Sequence, residues 1–396
     1  MSDRVAEANS LEAQARAARD LREAAALLRR AIALLPERHP RRLELQIGLG
    51  DTLGSGGDFE ATRALYAEVL EAAQAIGDRR IEARVRLERA YLGQITEPDG
   101  LARFHEVARE AIPVLEEHGD DEGLWRAWQA VGRAHGAVGR SDLALDAADR
   151  AIHHAGRAGH DPAYAVYTRA ILELLGATPV ADVLRRAEEL VEHERLRGFA
   201  LQALAHTHAM LGDFDAARGF VERHEEASRG FGKEAPTEVG GDVELLAGDH
   251  ASAERKLRPI VETYRRSGDR GHGGTVLALL ARAVLEQGRS GEAAELLAEL
   301  DDWTSPEDIG ERAELDALRA RLTGDEPLAR AAAERLAETD WLNHRARLLH
   351  DLALVARDPE AADGAAELFG RKGNVVARRA ALRTAQDLRT GRSAPG

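Results

Sequence analysis

The chain has 396 residues, with 54 Lys and Arg against 69 Asp and Glu, a net charge of −15 and no cysteine. That balance excludes a long basic face for a phosphate backbone, and the missing thiols exclude disulfides, thiolate metal sites and cysteine nucleophiles. Apolar residues make up 44% and aromatics only 4%, so Ala and Leu must supply the packing, a mixture that favours helices.

The absence of cysteine fits a reducing cytosol. The N-terminal stretch MSDRVAEANSLEAQARAARD has no apolar core of signal-peptide length, and no window approaches a membrane span. The expectation is a soluble, cytoplasmic protein. Lysine occurs three times, at Lys233, Lys256 and Lys372, and reads as the coding bias of a GC-rich bacterium.

In chain order, Leu21, Ala24, Leu27, Leu28, Ile32 and Leu35 form a stripe spaced by three and four, stopped by Pro36. A second helix follows Pro40, carries Leu43, Ile47, Leu49 and Leu53, and ends at the glycines around Gly57. Its partner runs from Phe59 to Ile76 and ends at Gly77-Asp78. Similar stops fall at Gly119-Asp120, Gly159, Gly232 and Gly268-Asp269.

The same signal repeats: a turn glycine, then a small residue five positions on. Gly57 leads to Thr62, Gly139 to Ala144, Gly212 to Ala217, Gly248 to Ala253, Gly288 to Ala293 and Gly324 to Ala329. The glycine turns the chain and the small residue lets the next helix approach closely. Hairpin turns are expected near Asp20, Gly57, Pro98, Gly139, Pro179, Gly212, Gly248, Gly288, Gly324 and Asp358, 33 to 41 residues apart. That predicts about ten helix hairpins, a closing helix from Asn374 to about Leu388, and a disordered tail over 390–396.

Around Gly139, Trp128, Val131, Gly132 and His135 fall on the W-x-x-L-G-x-x-Y positions of a tetratricopeptide repeat (TPR), and Ala144, Ala148 and Ala151 on the small and aromatic positions of its second helix. Leu204, Ala205, His208, Phe214 and Ala217 fit the same template around Gly212. The predicted fold is therefore all-α, a right-handed TPR-like α-solenoid forming a single domain over residues 1–389.

Over roughly residues 20–389 the chain resembles the C-terminal TPR region of bacterial signalling proteins that also carry a class III adenylate/guanylate cyclase and a P-loop ATPase. The resemblance rests on LRRAIALLPERHPRRLELQIGLGDTLGSGGDFEATRALY, AIPVLEEHGDDEGLWRAW, VELLAGDHASAERKL, and TDWLNHRARLLHDLALVARD followed by LFGRKGNVVARRAAL. Neither catalytic domain is present in the sequence. The pair Gly232-Lys233 is followed by Glu234 and lacks the upstream glycine of a phosphate-binding loop. What the resemblance implies is a sensing or docking part, with no activity carried over.

Fifteen histidines raise the question of a metal, but His206 and His208 diverge on a helix, as do His153 and His154, and no HExxH occurs. Acidic runs such as Glu188, Glu189, Glu192 and Glu194 beside Arg185 and Arg186 read as solvated helix faces. With no nucleophile elbow and no strand followed by a Gly-rich loop, no enzyme, metal or cofactor is expected. Trp125, Trp128, Tyr164 and Tyr167 read more simply as hairpin packing than as a peptide anchor, and Trp303 and Trp341 as staples between hairpins.

In TPR stacks the first helix of each hairpin lines the concave surface, with its second, fifth and ninth positions facing a ligand. Carried onto this chain, those positions are Arg89, Arg126, Gln129, Arg133, Gln202 and His206, with Thr168 aligned less securely. Three arginines on such a surface favour an acidic peptide or a C-terminal carboxylate. The expected function is a non-catalytic module that binds a protein or peptide in bacterial signalling or regulation. The alternative is a module whose groove closes on a small molecule. Nucleic acid and membrane are not expected as partners, and self-association through an uncapped end helix is left open.

Overall fold

A computed structural model describes residues 2–18, 20–96, 100–159, 163–194, 196–230, 238–267, 270–304 and 308–391. These form twenty-one helices, with no strand among the described residues. They group into two compact units, Met1–Ala134 with Asp146–Ala165, and His135–Leu145 with Val166–Gly396. The sequence reading takes residues 1–389 as one repeat domain; both units are built of the same hairpin.

Helices α1 (Ser2–Ala17) to α8 (Ser141–Arg157) begin with the pairs α1/α2 (Leu21–Ala33), α3 (Pro40–Ser55)/α4 (Phe59–Ile76) and α5 (Arg79–Thr96)/α6 (Gly100–Glu117). Then come α7 (Asp121–Ala137), α9 (Ala163–Leu175), α10 (Val180–Leu190), α11 (Arg197–Leu211), α12 (Phe214–Gly230), α13 (Val239–Ala247) and α14 (His250–Ser267). The series closes with α15 (Arg270–Glu286), α16 (Ser290–Trp303), α17 (Ile309–Thr323), α18 (Glu326–Arg335), α19 (Leu342–Ala356), α20 (Pro359–Lys372) and α21 (Val375–Thr390). Ten hairpins and a closing helix result, as the turn spacing predicts. The expected turn at Pro98, the stops at Gly232 and Gly268-Asp269, and residues 392–396 of the expected tail lie outside the described residues.

The repeat signal has a direct structural cause. All six turn glycines named above have positive φ. The small residue five positions on is buried every time: Thr62, Ala144, Ala217, Ala253, Ala293 and Ala329. At Gly324, φ is 75°, a left-handed conformation that costs any Cβ-bearing residue energy. The next residue, Asp325, accepts from the amide of Leu328 and caps α18. Asp58, Asp213 and Asp249 do the same for α4, α12 and α14. One Gly-Asp pair thus ends one helix and starts the next.

Each unit buries a sequence of small apolar clusters in place of one large core. In the first, Leu43, Ile47, Tyr66, Val69, Ile81 and Val85 pack α3, α4 and α5 together. In the second, Val276, Leu277, Leu280, Leu297, Leu315 and Leu318 join α15, α16 and α17. Trp341 packs on Gly310 and stacks on His344, joining the α17/α18 and α19/α20 hairpins.

The second unit also curls back on itself. The amide of Asp340 donates to the carbonyl of Gly139 at 2.8 Å, and the amide of Asp142 donates to Oδ2 of Asp340 at 3.2 Å. Lys372, fully buried, donates to the carbonyls of Glu173, Gly176 and Thr178 at 2.7–2.8 Å. Asn343 meets Met210 at 3.2 Å, and α21 packs against α11. These contacts span 198 and 199 residues in the pairs Asp142–Asp340 and Glu173–Lys372. About five hairpins therefore complete the turn that brings hairpin ends back together.

Candidate binding cleft

In the first unit, α1, α3, α5 and α7, with the turn before α7 and the end of α8, supply the walls of a cleft of about 440 Å³. Helices α1, α3, α5 and α7 are the first helices of four successive hairpins. Their facing side chains are charged. Arg41 on α3 reaches Glu12 on α1 and donates to Glu44 at 2.8 Å. Arg80, one hairpin further on, pairs with Glu44 and donates to Asp120 at 3.1 Å. Burial alone would raise the Glu44 carboxyl, but hydrogen bonds from Arg41 and Arg80 outweigh it and hold the group below its usual range.

Arg126 on α7 sits at the inner end of this ladder. Its Nε donates to Glu88 at 3.0 Å and its Nη2 to Asp51 at 3.0 Å. The guanidinium lies 4.4 Å from the centre of the Tyr91 ring and 4.9 Å from that of Trp125. Glu88 is pushed above its usual range by burial, with the charge of Asp51 adding to it and Arg126 opposing. Glu88 Oε2 is buried and has no hydrogen-bond partner.

The second unit carries a charged network on its own first helices, and this one is buried. Arg282 on α15 donates to Glu314 on α17 at 2.6 and 3.0 Å, and to both carboxylate oxygens of Asp351 on α19 at 2.7 and 3.1 Å. Arg321 joins Asp351 to Glu286 at 2.9 and 2.8 Å. His206 on α11 pairs with Asp242 on α13 at 3.1 Å. Burial lowers the His206 pKa, but the bond and charge of Asp242 prevail and hold it above the usual histidine range.

The seven residues chosen from the repeat template are divided between the units. Arg89, Arg126, Gln129 and Arg133 lie in the first, and Thr168, Gln202 and His206 in the second. Among them Arg126 lines the cleft. It is 8% exposed and held by two carboxylates, so it is not a free cation waiting for an anion. Arg89 and Arg133 are exposed. Gln129 is half-buried, and its Nε2 has no partner among the described residues. Thr168 and Gln202 are half-buried, and the Gln202 carbonyl lies 3.1 Å from Nδ1 of His206.

The sequence reading missed Asp51, Glu88, Glu44, Arg80 and Asp120, which build the cleft with Arg126. A signal existed: Arg41 and Arg80 recur one hairpin apart. Of the aromatic group, Trp128 lies under Arg150 at 4.5 Å and Tyr167 stacks on Phe199 at 3.5 Å, which is packing. The Tyr164 side chain lies outside the described residues. No group of three or more His, Cys, Asp or Glu able to hold a metal occurs among the described residues, and no described helix is long and apolar enough to cross a membrane.

Comparison of the backbone with solved structures gives a Rap protein complexed with competence and sporulation factor, 14% identical, covering 90% of this chain and all of that one at a TM-score of 0.64. The fold is a TPR-like α-solenoid. A human IFIT1 dimer with m7Gppp-AAAA is also similar, 13% identical, covering 93% of this chain and 86% of that one at a TM-score of 0.52. At these identities the likeness concerns the fold. The sequence matches no protein-family model. No curated protein matches it significantly.

Proposed function

We propose that this chain is a non-catalytic TPR-type module that binds a segment of a protein or peptide in the cleft of its first unit. The observation that carries this reading is the cleft itself, open, charged and lined by the first helices of four consecutive hairpins. An extended segment with several polar groups suits such a surface better than a compact apolar ligand does. The Rap structure holds a factor bound to a protein of this fold, which supports the reading. The resemblance to the TPR region of cyclase–ATPase signalling proteins points to a role in bacterial signalling, in the cytoplasm.

The test is affinity selection of random short peptides on the immobilised full chain, followed by calorimetry of the enriched sequences. Saturable binding, abolished by substitutions in the cleft, is the expected result. Absence of any enriched sequence would refute the reading. The cleft volume also falls in the range of small-molecule sites, so a thermal-shift screen against metabolites runs beside it. A ligand present at about 100 times its Kd should stabilise the fold by about 2.7 kcal/mol.

A further inference from the structure

The cleft of the first unit has a sign. Its lining holds seven carboxylates against six guanidinium groups. Every one of those guanidinium groups already lies within 4 Å of a carboxylate. Arg41, Arg80 and Arg126 each bridge two of them. The cations of the cleft are therefore all paired, and beside Arg126 acceptor capacity is left over. Glu88 lines the cleft and its buried Oε2 has no partner, and Asp51 gives one oxygen to Arg126 while its side chain stays 48% exposed.

At the Arg126 corner an incoming anion meets the carboxylates of Asp51 and Glu88 before it reaches a guanidinium that is 8% exposed. An incoming cation finds acceptors already in place. The chain shows in its own side chains what this corner accommodates: the Arg126 guanidinium, between Glu88 and Asp51 and over the rings of Tyr91 and Trp125. The net charge of −15 draws cations toward such a site at long range.

We infer that the cleft recognises a cationic group, a guanidinium or ammonium on a peptide segment, which docks beside Arg126 on the exposed carboxylate of Asp51, with the charge of Glu88 behind it. This rests on the peptide-binding reading above and replaces the acidic ligand that the repeat template suggests. The acidic preference rests on three free arginines, and the one that reaches the cleft is not free.

The test uses two degenerate pools of short peptides that differ only in a fixed central residue, arginine or glutamate, offered to the immobilised full chain at low salt. The arginine pool should be retained about tenfold more than the glutamate pool, equivalent to one paired charge. Asp51→Asn and Glu88→Gln, each checked by circular dichroism, should remove most of that difference. The exposed Asp51 keeps the test interpretable if Glu88→Gln perturbs the fold. Preferential retention of the glutamate pool overturns the inference while leaving peptide binding intact, and so does arginine-pool retention that survives both substitutions. Retention of neither pool overturns both. Spermidine is the third arm: competition with the arginine pool confirms the cation chemistry, whereas spermidine binding with no peptide retained assigns the site to a polyamine and removes the peptide.

Discussion

Lys372 donates a hydrogen bond from Nζ to the carbonyl oxygen of Glu173 at 2.8 Å, joining the end of α20 to the end of α9 across 199 residues of sequence. The same ammonium group satisfies the carbonyls of Gly176 and Thr178. Three N–H donors meet three acceptors in a place where no water reaches, since Lys372 is 0% exposed. Carbonyls at the end of a helix lack intrahelical partners, and a cation there also meets the negative end of the helix dipole.

Replacing Lys372 by Met keeps the length of the side chain and removes all three donors. Each buried carbonyl left unpaired costs about 1–3 kcal/mol, so K372M should lose at least about 3 kcal/mol. Urea denaturation measures the loss. Hydrogen exchange locates it: faster exchange should be confined to the α9–α10 turn and to the end of α20, the two places that Lys372 joins. Uniformly faster exchange across the chain would contradict the assignment of Lys372 as a local tie.

Arg282 tests a different kind of tie. Its guanidinium is buried with Glu314 and Asp351, which are themselves almost fully buried. Burial would raise the Asp351 carboxyl, yet the charges of Arg282 and Arg321 prevail and hold it below its usual range. Removing one partner of a buried pair leaves the others uncompensated and costs about 3–5 kcal/mol. R282M should show that loss in thermal melts. R282K keeps the charge but cannot bond both carboxylates in the same fork, so it should fall between R282M and the parent. Equal melting of R282K and the parent would show that charge alone suffices.

The hairpins were legible in the sequence because what makes them is local. Gly324 and Asp325 are adjacent, and Ala329 follows within the same turn of helix, so one short window holds the whole signal. The ladder from Arg41 through Glu44 and Arg80 to Asp120 was not legible, because its members meet only when successive hairpins stack in register. Arg126 shows the limit from the other side. Repeat position singles out Arg126 but says nothing of Asp51 and Glu88, which neutralise it. Lys372 looked like a matter of composition. Its role depends on how far the second unit curls in about five hairpins, which is a sum of small angles that no window of sequence contains.

The turn glycines give a backbone test. Gly324 has φ of 75° and open space where a Cβ would stand. Any cost of substitution there comes from conformation alone. Ala should destabilise by about 1–2 kcal/mol, and Asn, which tolerates the left-handed region, by less. At Gly241 the situation reverses, because an added Cβ would collide with the buried side chain of Leu257. There Ala and Asn should both be costly, Asn more so, by about 1–3 kcal/mol for overpacking. The order of the two variants at each position, read from urea midpoints, separates strain from crowding.

Glu311 supplies the dependence on pH. It stands at the start of α17, where Thr275 Oγ1 donates to its Oε1 at 3.0 Å. Burial, reinforced by the charge of Asp308, pushes its pKa up to about 7. The folded protein therefore binds a proton that the unfolded chain has released, over the window from about 4.5 to about 7. Stability from this group is fully present below the window and is lost as pH rises through it. Allowing for solvent screening, the loss is about 2 kcal/mol. E311Q is neutral at every pH and can still accept from Thr275, so it should match the parent near pH 4.5 and melt higher above pH 7. The difference between the two melting curves, followed from pH 4.5 to 8, cancels the titration of every other group. A flat difference would mean that Glu311 is charged in the fold, with the Thr275 hydroxyl and solvent together outweighing burial.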